Sequence, residues 1–412
     1  MKHGQAGWLM VAGLWVCLAV LFGSATPPIG LFYKPVSADF HTTRAGVSML
    51  STLQALGTCA GALIAGWLLN WIDAKRVMVA GAALEGASFL LSAHAPTFNT
   101  LLMYSGLVGL GEGISTLIPV SFIVGNWFGE GAGLAMGLTM TGTSLGGSLM
   151  VGVIAVSIAR GGWRHAYVVI ALPIFLLVIP LIMLLRSRPP QATPTAGRSR
   201  AQDPGLAGLE VHEALRTREF WLIAASQFAF GSVGAGLLNH LVPYLQSIGY
   251  GRGRAAIAMS VVLATTSLGK ISLGFITDRI GARWTVVLNF VLEALGIAAL
   301  IGAARVLFLA CGIGGYGLTW GTPLALLPLL TMESLGLKRY GAISGLTSIG
   351  FTAGNAFGPL AAGRVFDVTG SYTWALVGMS AGAAACALAV LGCRPLSEIN
   401  KSLVEPAAQT VA

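Results

Sequence analysis

The chain has 412 residues, of which 55% are hydrophobic and only 9% are charged, and its mean hydropathy is +0.79. Soluble domains carry about 25% charged residues, so this composition excludes an ordinary water-soluble protein and indicates a polytopic membrane protein. The net charge of +9 therefore predicts basic residues near anionic lipid at the inner membrane face rather than binding to nucleic acid.

Twelve apolar stretches have about the 20 residues that a transmembrane helix needs. In chain order the predicted spans are 8–33, 46–69, 77–95, 98–126, 131–158, 164–185, 219–247, 254–276, 283–304, 306–332, 340–363 and 371–393. The first stretch is long enough to span, which favours a membrane helix over a cleaved signal peptide.

One long polar stretch separates the sixth span from the seventh. The predicted domains are an N-terminal six-helix bundle (1–185), a cytoplasmic linker (186–218), a C-terminal six-helix bundle (219–393) and a cytoplasmic tail (394–412). With the linker inside, most of the 24 lysines and arginines lie at inner ends of spans. The positive-inside rule then predicts both termini in the cytoplasm, and we expect a bacterial inner membrane.

A glycine pattern recurs 208 positions later in the chain and indicates that the halves are one duplicated six-helix unit. The segments are Gly133-Leu-Ala-Met-Gly-Leu-Thr-Met-Thr-Gly-Thr-Ser-Leu-Gly146 and Gly341-Ala-Ile-Ser-Gly-Leu-Thr-Ser-Ile-Gly-Phe-Thr-Ala-Gly354. Small residues at this spacing let a helix approach its neighbours closely, so the fifth and eleventh spans are predicted to press against other helices. Static close packing and a contact that slides when the two halves rock both fit the pattern.

A loop signature follows the eighth span and reads Gly274-Phe-Ile-Thr-Asp-Arg-Ile-Gly-Ala-Arg283. With twelve spans and a duplication, it resembles the major facilitator superfamily, which implies an all-α fold of two pseudo-symmetric six-helix bundles. The resemblance implies that Asp278, Arg279 and Arg283 tie helix ends together at an inner gate. The first copy has Asn70 and Trp71 in place of the acid and an arginine, which leaves Asp73 as a possible latch there.

Further stretches resemble the monocarboxylate transporter family and the related oxalate/formate exchangers. They are Gly30-Leu-Phe-Tyr-Lys-Pro-Val-Ser-Ala-Asp-Phe40, Arg44-Ala-Gly-Val-Ser48, Gly109-Leu-Gly-Glu-Gly113, Asn126-Trp-Phe128, Phe220-Trp-Leu222 and His240-Leu-Val-Pro-Tyr-Leu245. This resemblance implies a small carboxylate substrate, moved with a proton or against another anion by alternating access. A monomer without a cofactor would suffice for such a carrier.

Lys270 is the predicted centre of the substrate site. It lies eight residues before Asp278, so a rise of ~1.5 Å per residue places it about 12 Å from the inner end of its helix. In the resembled family an arginine near this place binds the carboxylate, and a lysine would offer a point charge instead of a fork. The alternative is a lysine that snorkels to the inner surface. Thr266 replaces an aspartate of the eukaryotic carriers, which leaves the proton route open.

The duplication divides the other polar residues of the spans into those that recur in both halves and those that occur in one half only. Glu85 and Glu293 match each other at the 208 offset, so we expect both to brace nearby helix ends or backbone groups. Glu112 and His240 have no polar mate and are the predicted proton-coupling residues. The remaining predicted substrate-binding residues, besides Lys270 and His240, are Asn239, Tyr244, Tyr104, Tyr316, Trp320 and Asn355. For each of these, plain packing is the competing interpretation.

Three other functions compete with anion transport. One is export of drugs or other amphiphiles. Such exporters commonly carry an acid in the first span and a Gly-Pro motif in the fifth, and neither occurs here, which disfavours export of cations but leaves export of an anion open. A sensor would bind substrate without turnover. An enzyme is not expected, since the six histidines are dispersed and the five cysteines form no CxxC, which also predicts no metal.

Overall fold

The computed structural model describes residues 4–26, 29–42, 44–128, 131–187, 208–396 and 398–399. Regular structure within these ranges is helical, apart from an isolated bridge between Gly208 and Gly336. The chain forms two compact units, Met1–Gln202 and Asp203–Ala412. Residues 188–207 of the predicted linker and 400–412 of the predicted tail lie outside the described residues.

The described residues of the first unit form nine α-helices. They are α1 (Gln5–Ala25), α2 (Tyr33–Asp39), α3 (Arg44–Leu68), α4 (Ala74–Ala93), α5 (Phe98–Ser115), α6 (Leu117–Phe128), α7 (Ala132–Thr141), α8 (Gly147–Pro173) and α9 (Ile179–Leu184). A 3₁₀ turn at Ile29–Phe32 precedes α2, and π-helical turns at Gly142–Gly146 and Ile174–Val178 precede and follow α8.

Eight α-helices are formed by the part of the second unit that the structure describes. They are α10 (Val211–Arg216), α11 (Arg218–Ser247), α12 (Arg252–Ile280), α13 (Ala282–Ile301), α14 (Val306–Thr319), α15 (Pro323–Leu335), α16 (Tyr340–Thr369) and α17 (Thr373–Val390). Buried apolar residues of α11, α12, α13, α14 and α17 form one continuous core in this unit.

The helices agree with twelve predicted spans. Nine helical runs in the described ranges have the length and apolarity of a span. One of them, Ala132–Leu184, contains both the fifth and the sixth span, which meet at the non-helical Gly162 (φ 78°, ψ 177°). The tenth span is formed by α14 with α15 and the eleventh by α16.

Two spans predicted as continuous helices are broken. The fourth span consists of α5 and α6, which are separated at Thr116 (φ −105°, ψ −105°). The tenth consists of α14 and α15, which are separated by a turn with Gly321 at φ 76°. Pro119 and Pro323 follow the two breaks and have no backbone N–H to continue the helical hydrogen bonds, while glycine adopts the positive φ at little cost. The predicted first span is also shorter, because α1 ends at Ala25.

The duplication is visible in the helix contacts of each unit. A Cβ atom on Gly61 would lie 2.3 Å from the carbonyl oxygen of Leu110, where α3 packs on α5. At the 208 offset, a Cβ atom on Gly269 would lie 1.7 Å from the carbonyl oxygen of Leu318, where α12 packs on α14. Backbone therefore touches backbone at the same place in both units.

The glycine pattern found in the sequence lies at a second repeated contact. A Cβ atom on Gly142 would lie 2.6 Å from the Trp15 carbonyl oxygen of α1. A Cβ atom on Gly350 would lie 2.5 Å from the Ala224 carbonyl oxygen of α11. The prediction that the fifth and eleventh spans press against neighbouring helices is confirmed.

A cluster of charges attaches the chain before α10 to the loop between α15 and α16. Glu210 accepts a hydrogen bond from Arg339 Nε at 2.8 Å and forms an ion pair with Lys338 Nζ at 3.2 Å. The backbone N–H of Leu209 donates to the Leu335 carbonyl oxygen at 3.0 Å. Chiefly through the hydrogen bond from Arg339, the two cations hold the pKa of the Glu210 carboxyl below its usual value.

This cluster predicts an acid-sensitive contribution to stability. Because the folded-state pKa of Glu210 is depressed, the contribution is present at neutral pH and is lost as the pH falls through that folded-state pKa. Glu210→Gln is expected to cost at most about 1 kcal/mol at pH 7, since the pairs are partly exposed, and nothing in strong acid. Thermal unfolding of both proteins in detergent across pH checks this, and a difference that stays constant down to pH 3 would contradict it.

Candidate functional site

Lys270 lies buried inside the second unit. Its side chain is 1% exposed and is among the largest fully buried side chains of the described residues. The interpretation as a lysine snorkelling to the surface is therefore wrong. A charge enclosed in an apolar span costs about 2.5–3.5 kcal/mol on insertion scales, so its presence needs a structural or functional reason.

The break of the tenth span lies against Lys270. A Cβ atom on Gly321 would be 3.5 Å from Lys270 Cε and 3.8 Å from Nζ, so the backbone of the turn passes directly beside the ammonium group. Thr266, one turn earlier on α12, is buried and donates its hydroxyl to the Val262 carbonyl oxygen at 2.9 Å. Interrupted transmembrane helices commonly surround substrate sites, because their ends carry backbone groups that a continuous helix would use internally.

Two predicted aromatic residues lie close to this break. Tyr316 is fully buried and donates its hydroxyl to the Gly234 carbonyl oxygen of α11 at 2.9 Å. The Trp320 ring packs at the same glycine, since a Cβ atom there would lie 3.1 Å from Trp320 Nε1. Both side chains thus connect the broken span to α11 near Lys270.

The predicted residues at the other end of α11 form a separate group. His240 makes hydrogen bonds to the Tyr372 hydroxyl at 3.2 Å and to the Pro359 carbonyl oxygen at 3.1 Å. Tyr244 donates to the Leu300 carbonyl oxygen, and Asn239 is exposed and donates to the Ala235 carbonyl oxygen at 2.8 Å. These polar groups have partners within their own unit.

Two further predicted residues are half-buried. Asn355 donates its amide to the Phe351 carbonyl oxygen of its own helix at 3.2 Å and lies where α16 packs on α11. Tyr104 lies on α5 in the first unit.

Glu112 is the centre of a polar network in the first unit. It is fully buried near the end of α5, four residues before the break at Thr116. Its Oε1 accepts from the Thr26 hydroxyl at 2.8 Å, and its Oε2 accepts from the Thr58 hydroxyl at 3.0 Å and from Gln54 Nε2 at 3.5 Å. Three donors from two other parts of the unit converge on one carboxyl group.

The loops predicted to form the inner gate have different contacts in the two units. Asp73 caps α4 through the Lys75 N–H at 3.0 Å and accepts from the Ser187 hydroxyl at 2.6 Å, so it connects α4 to the end of the sixth span. Its duplicate position is Gly281, which has no side chain. There Glu333 of α15 supplies the cap, because its Oε2 accepts from the Ala282 N–H at 2.8 Å.

The arginines of the second loop are held by nearby groups of their unit. Arg279 lies over the Phe275 ring at 4.3 Å, and Arg283 donates to the Leu391 carbonyl oxygen just beyond α17. Asp278 lies in the last turn of α12. Arg283 therefore connects the start of α13 to the end of the twelfth span.

Glu85 and Glu293 do not make the backbone hydrogen bonds that were expected of them, although the Ser115 side chain at the end of α5 interacts with the Glu85 carboxyl group. Both side chains are fully buried, and none of their carboxyl oxygens has a hydrogen-bond partner among the described residues. Asn289, one turn before Glu293 on α13, also has both amide atoms unpartnered within those residues. The small residues of the neighbouring helices explain the difference, since Gly111 packs directly on the backbone of Glu85 and offers no side-chain partner.

The sequence analysis missed the partners of Glu112 and the cap from Glu333. Gln54 and Thr58 carry a readable signal, because two polar residues four positions apart lie on one face of α3, within a stretch that is apolar from Cys59 onwards. Thr26 and Glu333 carry no such signal, since their roles depend on which helix ends meet.

Comparison with known proteins agrees with this architecture of long apolar helices in two units. A family model described as Major Facilitator Superfamily matches residues 14–359. Monocarboxylate transporter 12-B of Danio rerio is 24% identical over 398 residues, covering 90% of this chain and 83% of that protein. The uncharacterized MFS-type transporter YhjX of Escherichia coli (strain K12) is 26% identical over 358 residues, covering 86% and 87%.

A solved structure has the same fold. The MFS transporter FucP, in its outward conformation, matches with a TM-score of 0.72 at 15% identity, over 95% of this chain and 99% of that chain. The family model and the long apolar helices together define a multi-pass membrane transporter. The chain belongs to the major facilitator superfamily, and the resemblance predicted from its motifs is confirmed.

Proposed function

We propose that this transporter moves a small organic anion, a monocarboxylate such as lactate or pyruvate, together with a proton by alternating access. The observation that carries the proposal is the buried Lys270 beside the broken tenth span. An ammonium group inside a transmembrane segment is a default binding point for an anion, and a lysine provides a point charge that a carboxylate can approach from several directions.

Glu112 supports the proton-coupled form of this function. It is a buried carboxyl group whose hydrogen bonds come from hydroxyl and amide donors, and no cation is among them. Intramembrane carboxyl groups of this kind serve as proton relays in transporters. The name of one of the relatives, Monocarboxylate transporter 12-B of Danio rerio, supports the same substrate class.

The remaining parts of the proposal rest on the amino-acid sequence. The carrier acts as a monomer in the bacterial inner membrane, with both termini in the cytoplasm and anionic lipid at the basic inner loops. Exchange of two carboxylates, as in the oxalate/formate group, is the closest alternative, followed by efflux of an amphiphilic anion. A substrate-binding sensor without transport is the alternative outside transport.

The substrate class is tested by ligand-induced stabilisation of the purified protein. Lactate is expected to raise the thermal unfolding midpoint in a concentration-dependent way, because binding to the folded state stabilises it. Lactamide has the same carbon skeleton and hydroxyl without the negative charge, so it is expected to have no effect at the same concentration. Equal stabilisation by both compounds would contradict recognition of a carboxylate.

A further inference from the structure

Thr58 has two possible acceptors for its one hydroxyl hydrogen. Its Oγ1 lies 3.0 Å from Glu112 Oε2 and also 3.0 Å from the carbonyl oxygen of Gln54. A hydroxyl group has one hydrogen to donate and two lone pairs with which to accept, so it donates to one of these oxygens at a time. The orientation that it adopts depends on the charge of the carboxyl group.

Both charge states of Glu112 are satisfied by this geometry. With Glu112 ionised, the Thr58 hydrogen points to Oε2. With Glu112 protonated at Oε2, the carboxyl donates to Thr58 Oγ1, whose own hydrogen turns to the Gln54 carbonyl oxygen. No heavy atom has to move between the two states, which avoids the cost of leaving a buried polar group unpaired in either of them.

We propose that Thr58 is a positioning residue for proton transfer at Glu112, acting by rotation of its hydroxyl group. The proposal rests on the proposed function, in which Glu112 carries the coupling proton. A carboxyl group with a purely structural role would need only one set of partners, whereas this arrangement serves two protonation states.

A small cavity adjoins this network at Gln54. It is lined by Gln54, which also contacts Glu112, and by Ser24, Ser105 and Tyr167 among others, and it has room for about one water molecule. Ser24 Oγ is buried and has no hydrogen-bond partner in the described part of the chain. The proton that Glu112 takes up comes from the aqueous phase and returns there on release, and a water molecule between Ser24 and Gln54 would be one relay on that path.

Few other titratable groups face Glu112. The helices packed against α5 are α1, α3, α4 and α6. Glu85 of α4 is the buried carboxyl group on this side, and Cys17 of α1 and Cys59 of α3 are the thiols of those helices. Lys75 and Arg76 lie at the far, inner end of α4. Glu85→Gln is therefore the control for a neighbouring carboxyl group.

The experiment compares Thr58→Val with Thr58→Ser in liposomes. Valine keeps the shape of threonine without the hydroxyl, while serine keeps the hydroxyl. In Thr58→Val, accumulation of labelled substrate driven by a proton gradient is expected to fall at least about fivefold, the equivalent of one hydrogen bond. Counterflow without a gradient is expected to stay within about twofold of the parent, and Thr58→Ser and Glu85→Gln are expected to retain gradient-driven accumulation.

Infrared difference spectra give a readout that is independent of transport. The carboxyl band of protonated Glu112 is identified by its loss in Glu112→Gln. Its titration is expected to differ from that of the parent in Thr58→Val, or in Thr58→Ala should the valine variant not fold, and to match the parent in Thr58→Ser. Parent-like accumulation and titration in the variants that lack the hydroxyl would overturn the proposal. Absence of carboxylate transport by the parent would count against the proposed function instead, while the titration still decides the role of Thr58.

Discussion

Lys270→Gln is expected to lower the affinity for carboxylates at least about 30-fold, while the protein remains folded. Removing one charged partner from a buried contact costs about 2–5 kcal/mol, and each 1.4 kcal/mol is tenfold in affinity. Glutamine has a similar reach but no charge, so the apolar packing of α12 is kept. Isothermal titration of the purified variant with lactate and pyruvate measures the effect.

Two controls separate a local loss from a general one. Lys270→Arg keeps the charge and is expected to bind more tightly than the glutamine variant. Lys338→Gln removes a lysine that is partly exposed and paired with Glu210. The affinity of this variant for carboxylates is therefore expected to equal that of the parent. An affinity of Lys270→Gln within threefold of the parent would remove Lys270 from the substrate site.

Gly269→Ala is expected to destabilise the protein strongly. Overpacking of a core usually costs about 1–3 kcal/mol, and the loss here is expected to exceed that range. A Cβ atom at this position would lie 1.7 Å from the Leu318 carbonyl oxygen, and main chain cannot move aside as a flexible side chain can. The helices α12 and α14 would have to separate next to Lys270 and the break of the tenth span. Thermal unfolding in detergent, followed by size-exclusion chromatography, measures the loss.

Gly314→Ala is the matched control for this substitution. Gly314 also lies inside a helix, α14, but no atom lies within 4 Å of its Cβ position. Alanine has the higher helix propensity by about 1 kcal/mol, so this variant is expected to be as stable as the parent or more stable. Equal unfolding midpoints for the two alanine variants would show that the contact at Gly269 does not limit stability.

The spans were predictable from sequence because lipid demands long apolar helices, and composition alone carries that signal. The positions of the helix breaks could not be predicted from the sequence. Pro119 and Pro323 follow the two breaks, yet Pro173, Pro243 and Pro359 lie inside helices. A missing N–H therefore permits a break without requiring one, and the outcome depends on the packing around each turn.

The site was predictable only where one residue is unusual by itself. Lys270 stands out as a charge deep in an apolar stretch, and the structure shows it buried. The partners of Glu112 come from two separate places in the chain, Thr26 after α1 and Gln54 with Thr58 on α3, and sequence gives no information on which helix faces meet. Likewise, Tyr244 and Tyr316 look like lining residues in sequence, but their hydroxyl groups bind backbone carbonyl oxygens of neighbouring segments.

Uptake of labelled lactate or pyruvate into liposomes that contain the parent protein tests the proposed transport most directly. The measurement is made with and without an inward proton gradient, with Lys270→Gln in parallel. We expect accumulation that requires the gradient in the parent and none in the variant. Uptake by both proteins alike, or uptake that ignores the gradient, would contradict proton-coupled carboxylate transport centred on Lys270.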